Sequence, residues 1–356
     1  MAYGRKASTD KAPREDYREE YVKQIIAALE AGTAPWTRPW DASMGMPINP
    51  TTEKTYRGSN LMKLVMTGMA KGYSDNRWMT YKQADAQGWQ VKRGEKSTTI
   101  QFYKSRDDKD INGKPKEKKS ADPQKKDYGG YVFYSNVFNA SQVDGVPEIV
   151  PVTRSWEPNE KAQRIIVASK AVISHGGNLA FYSPSLDAIT MPLQEAFPSV
   201  SNYTSTIFHE LGHWTGHKSR LDRAEGMSGT FGSDTYAKEE LRAEISSMFS
   251  AMAIGIEHDT SRHMSYCQSW KKVIKDDHNE IFRACADAQK ITDFLMDFDR
   301  VRSIEMDQDG PEQTVNREIE SPVAQILVPA GVFSVDSNTS VSHSRRKRPN
   351  VVELSR

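Results

Sequence analysis

The residues His209-Glu210-Leu211-Gly212-His213 lie within Ser201 to His217, a stretch without proline that reads as one helix. Residues four apart on a helix stand one turn apart on the same side, so His209 and His213 can grip a single metal ion. Glu210 lies beside the first of them and can act as a base. The preceding Ser205, Thr206, Ile207 and Phe208 allow the helix to be buried.

A reactive metal centre of this kind needs a third protein ligand and one position left open for water. Metzincins place a third histidine six residues beyond the second; Ser219 stands there in this chain, and His217 comes four residues on instead. His217 is therefore read as a surface or supporting residue, and His175, His258, His263 and His278 have no ligand spacing. The better source is Glu239-Glu240-Leu241-Arg242-Ala243-Glu244. It resembles the ExxAD element of gluzincins, in which the first carboxylate binds zinc and an acid four residues later hydrogen-bonds a zinc histidine. That resemblance favours Glu240 as third ligand and Glu244 as orienting group, with the reverse assignment as the competitor. Tyr236 and Tyr182 are candidate oxyanion donors, and Tyr236 is also placed just behind the ligands. A His/His/carboxylate set prefers zinc, and one ion is expected. Zinc acidifies water toward neutrality, and Glu210 can take up the proton and pass it to a leaving amine, which makes the reaction metal-assisted amide hydrolysis. The segments Leu179–Tyr182 and Ala188–Met191 read as two short strands able to pair with an extended peptide beside the site.

At 356 residues the chain exceeds what one core usually serves, so a boundary is expected. Charge shows where. Residues 1–150 hold 25 Lys/Arg against 19 Asp/Glu, and the rest holds 23 against 28, so a net charge of +1 conceals a basic half and a mildly acidic one. The expected fold class is α+β in two domains: a small basic α+β domain over 15–147 and a mainly helical domain with a short sheet over 159–302. A Pro-bearing linker over 148–158 joins them. A flexible arm over 1–14 and a disordered tail over 303–356 flank them. Helices are expected from Tyr17 to Gly32, Glu160 to Ser174, Ala237 to Ile254, Met264 to Ile274 and His278 to Phe298, a further apolar segment from Asn60 to Ala70, and strands at Thr98–Tyr103 and Tyr131–Phe138. Lys104–Lys126 reads as a mobile loop. No apolar run reaches the roughly 20 residues of a membrane helix, and no secretory leader is evident, so a cytoplasmic protein with no membrane partner is expected. Cys267 and Cys285 have no CxxC spacing and read as reduced thiols.

The basic half interleaves cations and rings: Tyr56, Arg57, Trp78, Tyr81, Lys82, Trp89, Lys92, Arg93, Lys96, Phe102, Tyr103 and Lys104. Cations that track phosphates and rings that stack on unpaired bases are the means by which single-stranded nucleic acid is held, although a basic domain with an aromatic core has the same composition. The order Tyr56-Arg57-Gly58-Ser59-Asn60, Trp78-Met79-Thr80-Tyr81-Lys82-Gln83-Ala84, Arg93-Gly94-Glu95-Lys96 and Val137-Phe138-Asn139 resembles the N-terminal domain of ArdC-type antirestriction proteins, also found in plasmid conjugative primases. Phe208 to His217, Arg220-Leu221 and Tyr236 to Leu241 are similar to the zincin-like domain that follows it in that family. The resemblance spans residues 15 to 300. It implies a single-stranded-DNA-binding domain over 15–147, with Tyr56, Arg57, Asn60, Trp78, Tyr81, Lys82, Lys92, Arg93 and Lys96 as DNA-binding candidates, and a zincin-like metallopeptidase domain over 159–302. It further implies protection of incoming plasmid or phage DNA from host restriction, with a host restriction or repair protein as peptidase target. The alternative is a single-stranded-DNA-binding accessory protein of conjugation or replication whose metal is structural. No primase active-site motif is present.

Overall fold

The computed structural model describes residues 17–32, 34, 36, 45–105, 130–149, 157–230, 232–258 and 266–308. The arm over 1–14, most of the linker, nearly all of the Lys/Asp-rich stretch and the tail beyond 308 lie outside the described residues. Near the N-terminus, α1 (Tyr17–Glu30) buries Tyr21, Val22, Ile25 and Leu29, the stripe that its sequence spacing requires. Gly32, at φ 62°, follows its end. A two-residue hairpin, β1 (Ile48–Asn49) with β2 (Lys54–Thr55), leads into α2 (Gly58–Lys71), which ends on Gly72 at φ 65°. Next come β3 (Trp78–Thr80) and α3 (Tyr81–Ala86). A capping box, in which the Thr80 hydroxyl and the Gln83 side chain serve each other's backbone, starts α3.

β4 (Gln90–Val91) pairs with β7 (Val143–Asp144). Between them β5 (Thr98–Ser105) and β6 (Gly130–Asn139) form a long antiparallel hairpin, and β3 joins β6 on its other side, giving the order β3-β6-β5. The β-branched and aromatic runs in these strands had marked both of them.

The C-terminal half opens with α4 (Glu157–Ser169). The helix expected to reach Ser174 stops five residues short. Lys170 turns to φ 56°, and Val172–His175 forms β8. Val172 and Ile173 continue the helical apolar spacing, but as β-branched residues they are equally suited to a strand, and the sheet claims them. β9 (Phe181–Ser183) and β10 (Ala188–Met191) complete it in the order β8-β10-β9, β10 being parallel to β8 and antiparallel to β9. The helices α5 (Val200–Trp214), α6 (Ala224–Met227), α7 (Asp234–Ile254), α8 (Cys267–Asp276) and α9 (Glu280–Gln308) follow. The last runs past the expected domain limit of 302.

One apolar core is assembled from both halves of the sequence. Tyr21 and Ile25 of α1 and Leu61 and Met62 of α2 pack with Leu241 and Phe249 of α7, Trp270 of α8 and Cys285 of α9. Full burial of a side chain such as Phe249 stabilises by about 1.5–3 kcal/mol, so this shared core ties α1 and α2 firmly to the C-terminal helices. A second core lies under α4, α5, α9 and the β8-β10-β9 sheet, and two small ones under the N-terminal strands. Among the described residues no helix is long and apolar enough to cross a membrane.

Candidate metal centre

Every residue of α5 from Ile207 to Trp214 is buried. A helix enclosed in this way should be apolar except where polar groups find partners, and His209, Glu210 and His213 are such exceptions. The carboxylate partners of the two histidines come from α7. Gly212 lets the two helices meet: a Cβ on it would lie 2.9 Å from Ser246 Oγ and 3.4 Å from Ala243 Cα. Ser247 Oγ also donates to the Ser205 carbonyl across the contact (3.1 Å).

At this contact His209 Nε2 and His213 Nε2 face each other at 3.2 Å. One Glu240 carboxylate oxygen lies 3.6 Å from the first and the other 3.4 Å from the second. Among the described residues these three side chains form a group that could hold a metal ion, with donor atoms all within 4.8 Å of one another. The donor chemistry fits a divalent ion: two imidazoles and a carboxylate, buried, with their free electron pairs converging. The outer nitrogens are also engaged. His209 Nδ1 is 3.2 Å from Glu244 Oε2, and His213 Nδ1 is 3.5 Å from Glu239 Oε1. Glu244 thus sits behind a histidine, and Glu240 sits between the two.

Electrostatics follow from this packing. Burial disfavours protonation of His213, but the carboxylates of Glu240 and Glu239 outweigh it and raise its pKa to about 9. His209 is raised well above its ordinary value by Glu240 and Glu244 against the same burial. Glu240 is held far below the carboxylate range, since both histidines overcome its desolvation. Glu210 moves up because it is buried, opposed by the two histidines and by the backbone N–H of Tyr182, which donates to it.

Glu210 and the three donors open on a cleft of about 400 Å³. Leu179, Phe181, Tyr182 and Pro184 from the edge strand β9 and its flanks form one wall, and Met227, Tyr236 and Tyr266 lie among the other lining residues. Tyr236 Oη is 3.1 Å from Tyr266 Oη and also bonds Glu240. Tyr182 turns its ring into the core, and its hydroxyl donates to Asp187 (2.8 Å), so the side chain is committed elsewhere.

Four supporting residues escaped the sequence: Glu239, Arg223, His258 and Tyr266. His258, fully buried, lies 3.3 Å from Glu244, 3.2 Å from Ser205 Oγ and 3.4 Å from the Trp36 carbonyl. Only the Glu239-Glu240 doublet carried a signal, since two adjacent acids on an otherwise buried helix both need partners.

Comparison with known proteins gives two family matches, the N-terminal domain of anti-restriction factor ArdC over residues 15–138 and a zincin-like metallopeptidase over 160–287. The crystal structure of the metal-free antirestriction ArdC protein from the R388 plasmid is 34% identical, with a TM-score of 0.67, over 81% of this chain and 99% of that one. The chain belongs to the ArdC antirestriction family. The Mn(II)-bound structure of the same R388 ArdC protein matches with 33% identity and a TM-score of 0.63, covering 80% of this chain and 98% of that one. The DNA primase TraC of Escherichia coli is 48% identical over 263 residues, 72% of this chain, which spans only 24% of the primase's length.

The ArdC-type N-terminal half distributes its candidate residues unevenly. Tyr56 and Trp78 are buried in one small core, with the Tyr56 hydroxyl donating to the Trp78 carbonyl (2.9 Å), so neither ring offers a face for stacking. Asn60 is buried as well. Its side-chain amide donates to the Gln101 carbonyl (2.7 Å) and accepts the Gln101 N–H (3.0 Å), completing the edge of β5. Ring burial and backbone pairing thus occupy three members of the expected DNA-binding set. Arg57 is exposed but ion-paired with Asp293 of α9. Tyr81, Lys82, Lys92, Arg93 and Lys96 are exposed. Lys92 donates to the Ser141 carbonyl (3.0 Å). Phe102 and Phe133, directly opposite each other on β5 and β6, are about half exposed at 47% and 51%. A cross-strand pair of this kind shares one face of the hairpin.

Proposed function

We propose that this chain is an antirestriction protein that binds single-stranded DNA through its basic N-terminal half and carries a zinc-dependent peptidase centre in its C-terminal half, protecting incoming mobile-element DNA from host restriction. The observation that carries the peptidase reading is the convergence of His209, His213 and Glu240 on a cleft with Glu210 at its wall. A structural zinc site closes all four positions with protein; three donors facing a cleft fit a reactive one.

In this reading His209, His213 and Glu240 hold one zinc ion and Glu244 orients His209. Zinc bound there polarises a peptide carbonyl and acidifies water. Glu210, with its proton affinity raised by burial, takes up a proton and delivers it to the leaving amine. The Tyr182 N–H that it accepts fixes its carboxylate beside β9. That strand is the edge of its sheet, so an extended polypeptide can add to it and lie across the centre. Pro184 has no N–H and ends the usable edge. The Tyr236 phenol, kept protonated by its burial and by Glu240, is a donor for a developing oxyanion. The substrate is taken to be a host restriction or repair protein. For DNA, the exposed rings of Tyr81, Phe102 and Phe133 provide stacking faces, and Lys82, Lys92, Arg93 and Lys96 provide cations.

The test is Glu210→Gln in the whole chain. The variant is expected to bind one zinc per chain by elemental analysis yet fail to protect DNA transferred into a restricting host. Unchanged protection with zinc still bound would overturn the peptidase reading in favour of an accessory DNA-binding protein with a structural metal.

A further inference from the structure

Behind His213 lies a second carboxylate that the zincin-like pattern does not require. Glu239 is almost fully buried, and Arg223 holds it with two nitrogens, Nη2 at 2.9 Å and Nε at 3.3 Å. The same guanidinium donates to the Gly212 carbonyl (2.7 Å) and to Thr215 Oγ1 (3.0 Å), both on or just after the helix that carries the histidines. Space has been left for the pair: a Cβ on Gly226 would lie 3.0 Å from Glu239 Oε2, and one on Gly216 3.2 Å from Arg223 Nη2. Burying an ion pair is a poor route to stability, because apolar side chains of similar volume often serve as well or better. What the pair does accomplish is local. It places a carboxylate oxygen 3.5 Å from His213 Nδ1, as Glu244 does for His209 at 3.2 Å.

We propose that Glu239, clamped by Arg223, is a positioning residue for His213, so that both metal-binding histidines are oriented by carboxylates from α7. The clamp has a second effect. Glu239 is adjacent to Glu240 on the helix, and its two bonds to Arg223 keep it on the outer nitrogen of His213 rather than among the ligands. This inference rests on the proposed metal site, and its test separates the two.

Zinc affinity of the whole chain is measured by competition with a chromophoric chelator, and the ring Nδ1–H of His213 is followed by ¹H–¹⁵N NMR in zinc-loaded protein. Outer carboxylates contribute about 10–100-fold to metal affinity. Glu239→Ala is expected to weaken zinc binding by about that factor and to shift or broaden the Nδ1–H signal. Glu239→Gln, which keeps an oxygen acceptor, is expected to recover most of the affinity. Arg223→Met is expected to weaken zinc binding, and the double variant Arg223→Met/Glu239→Ala to be no weaker than Glu239→Ala alone. Wild-type affinity in Glu239→Ala with an unmoved His213 signal overturns the inference. If Glu239→Ala fails to fold, the Glu239→Gln signal decides: displacement supports the inference and identity with wild type overturns it. Wild-type protein that binds no zinc removes the metal reading itself.

Discussion

Replacing Gly212 with alanine is the sharpest probe of how this site is built, because helix propensity and packing predict opposite signs. Glycine within a helix costs about 1 kcal/mol relative to alanine, so propensity alone makes Gly212→Ala stabilising. The added methyl would sit 2.9 Å from Ser246 Oγ, closer than carbon and oxygen approach, and 3.4 Å from Ala243 Cα, which is backbone. Ser246 Oγ is not a loose chain end; it donates to the Ala243 carbonyl at 2.8 Å. Relief therefore requires either loss of that hydrogen bond, about 1 kcal/mol, or separation of α5 from α7, with overpacking typically costing about 1–3 kcal/mol. Against the roughly 1 kcal/mol gained from propensity, the net expectation is destabilisation by about 0–2 kcal/mol, a fall of up to roughly 3 °C in melting temperature for a chain of this size. Separating the helices also draws Glu240 away from the histidines, so zinc affinity should fall with stability. The assay is thermal melting in chelator together with zinc competition. Gly212→Ala/Ser246→Ala, which leaves only the 3.4 and 3.6 Å contacts, should recover most of both. A single variant that melts above wild type, by the roughly 1 kcal/mol that propensity alone predicts, would refute the close-packing argument.

Two other outcomes are expected. In metal-free protein the His213 pKa is raised to about 9 from 6.5; a raised value means that protonation contributes stability fully below about pH 6.5, lost as pH rises through 9, at most about 3 kcal/mol. The melting temperature in chelator should thus decline between pH 6.5 and 9.5, whereas zinc-loaded protein should show no such decline; a flat profile in chelator would sink the assignment of protonated histidines. For DNA, Phe102→Ala and Phe133→Ala should each weaken binding of a labelled single-stranded oligonucleotide by about tenfold, as expected for one stacked base, without lowering the melting temperature. Tyr56→Ala and Trp78→Ala should instead lower the melting temperature by removing core, and unaffected oligonucleotide affinity in both phenylalanine variants would move the DNA interface elsewhere.

The sequence alone was enough for whatever depends on near neighbours. The i, i+4 histidines, the α1 stripe, the β5 and β6 runs and the charge asymmetry are properties of a few consecutive residues, and helical or strand geometry converts them directly into faces. Glu240 and Glu244 were legible as a pair for the same reason, and the likeness to the ExxAD element favoured Glu240 as the ligand, but spacing alone left the reverse choice open. That choice depends on the rotation of α7 against α5, a contact between residues more than 25 positions apart. The tertiary structure likewise decided that Tyr56, Trp78 and Asn60 face inward, that α1 and α2 join the core of the C-terminal helices, and that Val172 belongs to a sheet. It alone revealed Arg223 on Glu239 and His258 on Glu244. Composition cannot tell a ring that stacks on a base from one that packs against a leucine, because both are apolar surface withdrawn from water, and only the placement of distant segments settles which partner withdraws it.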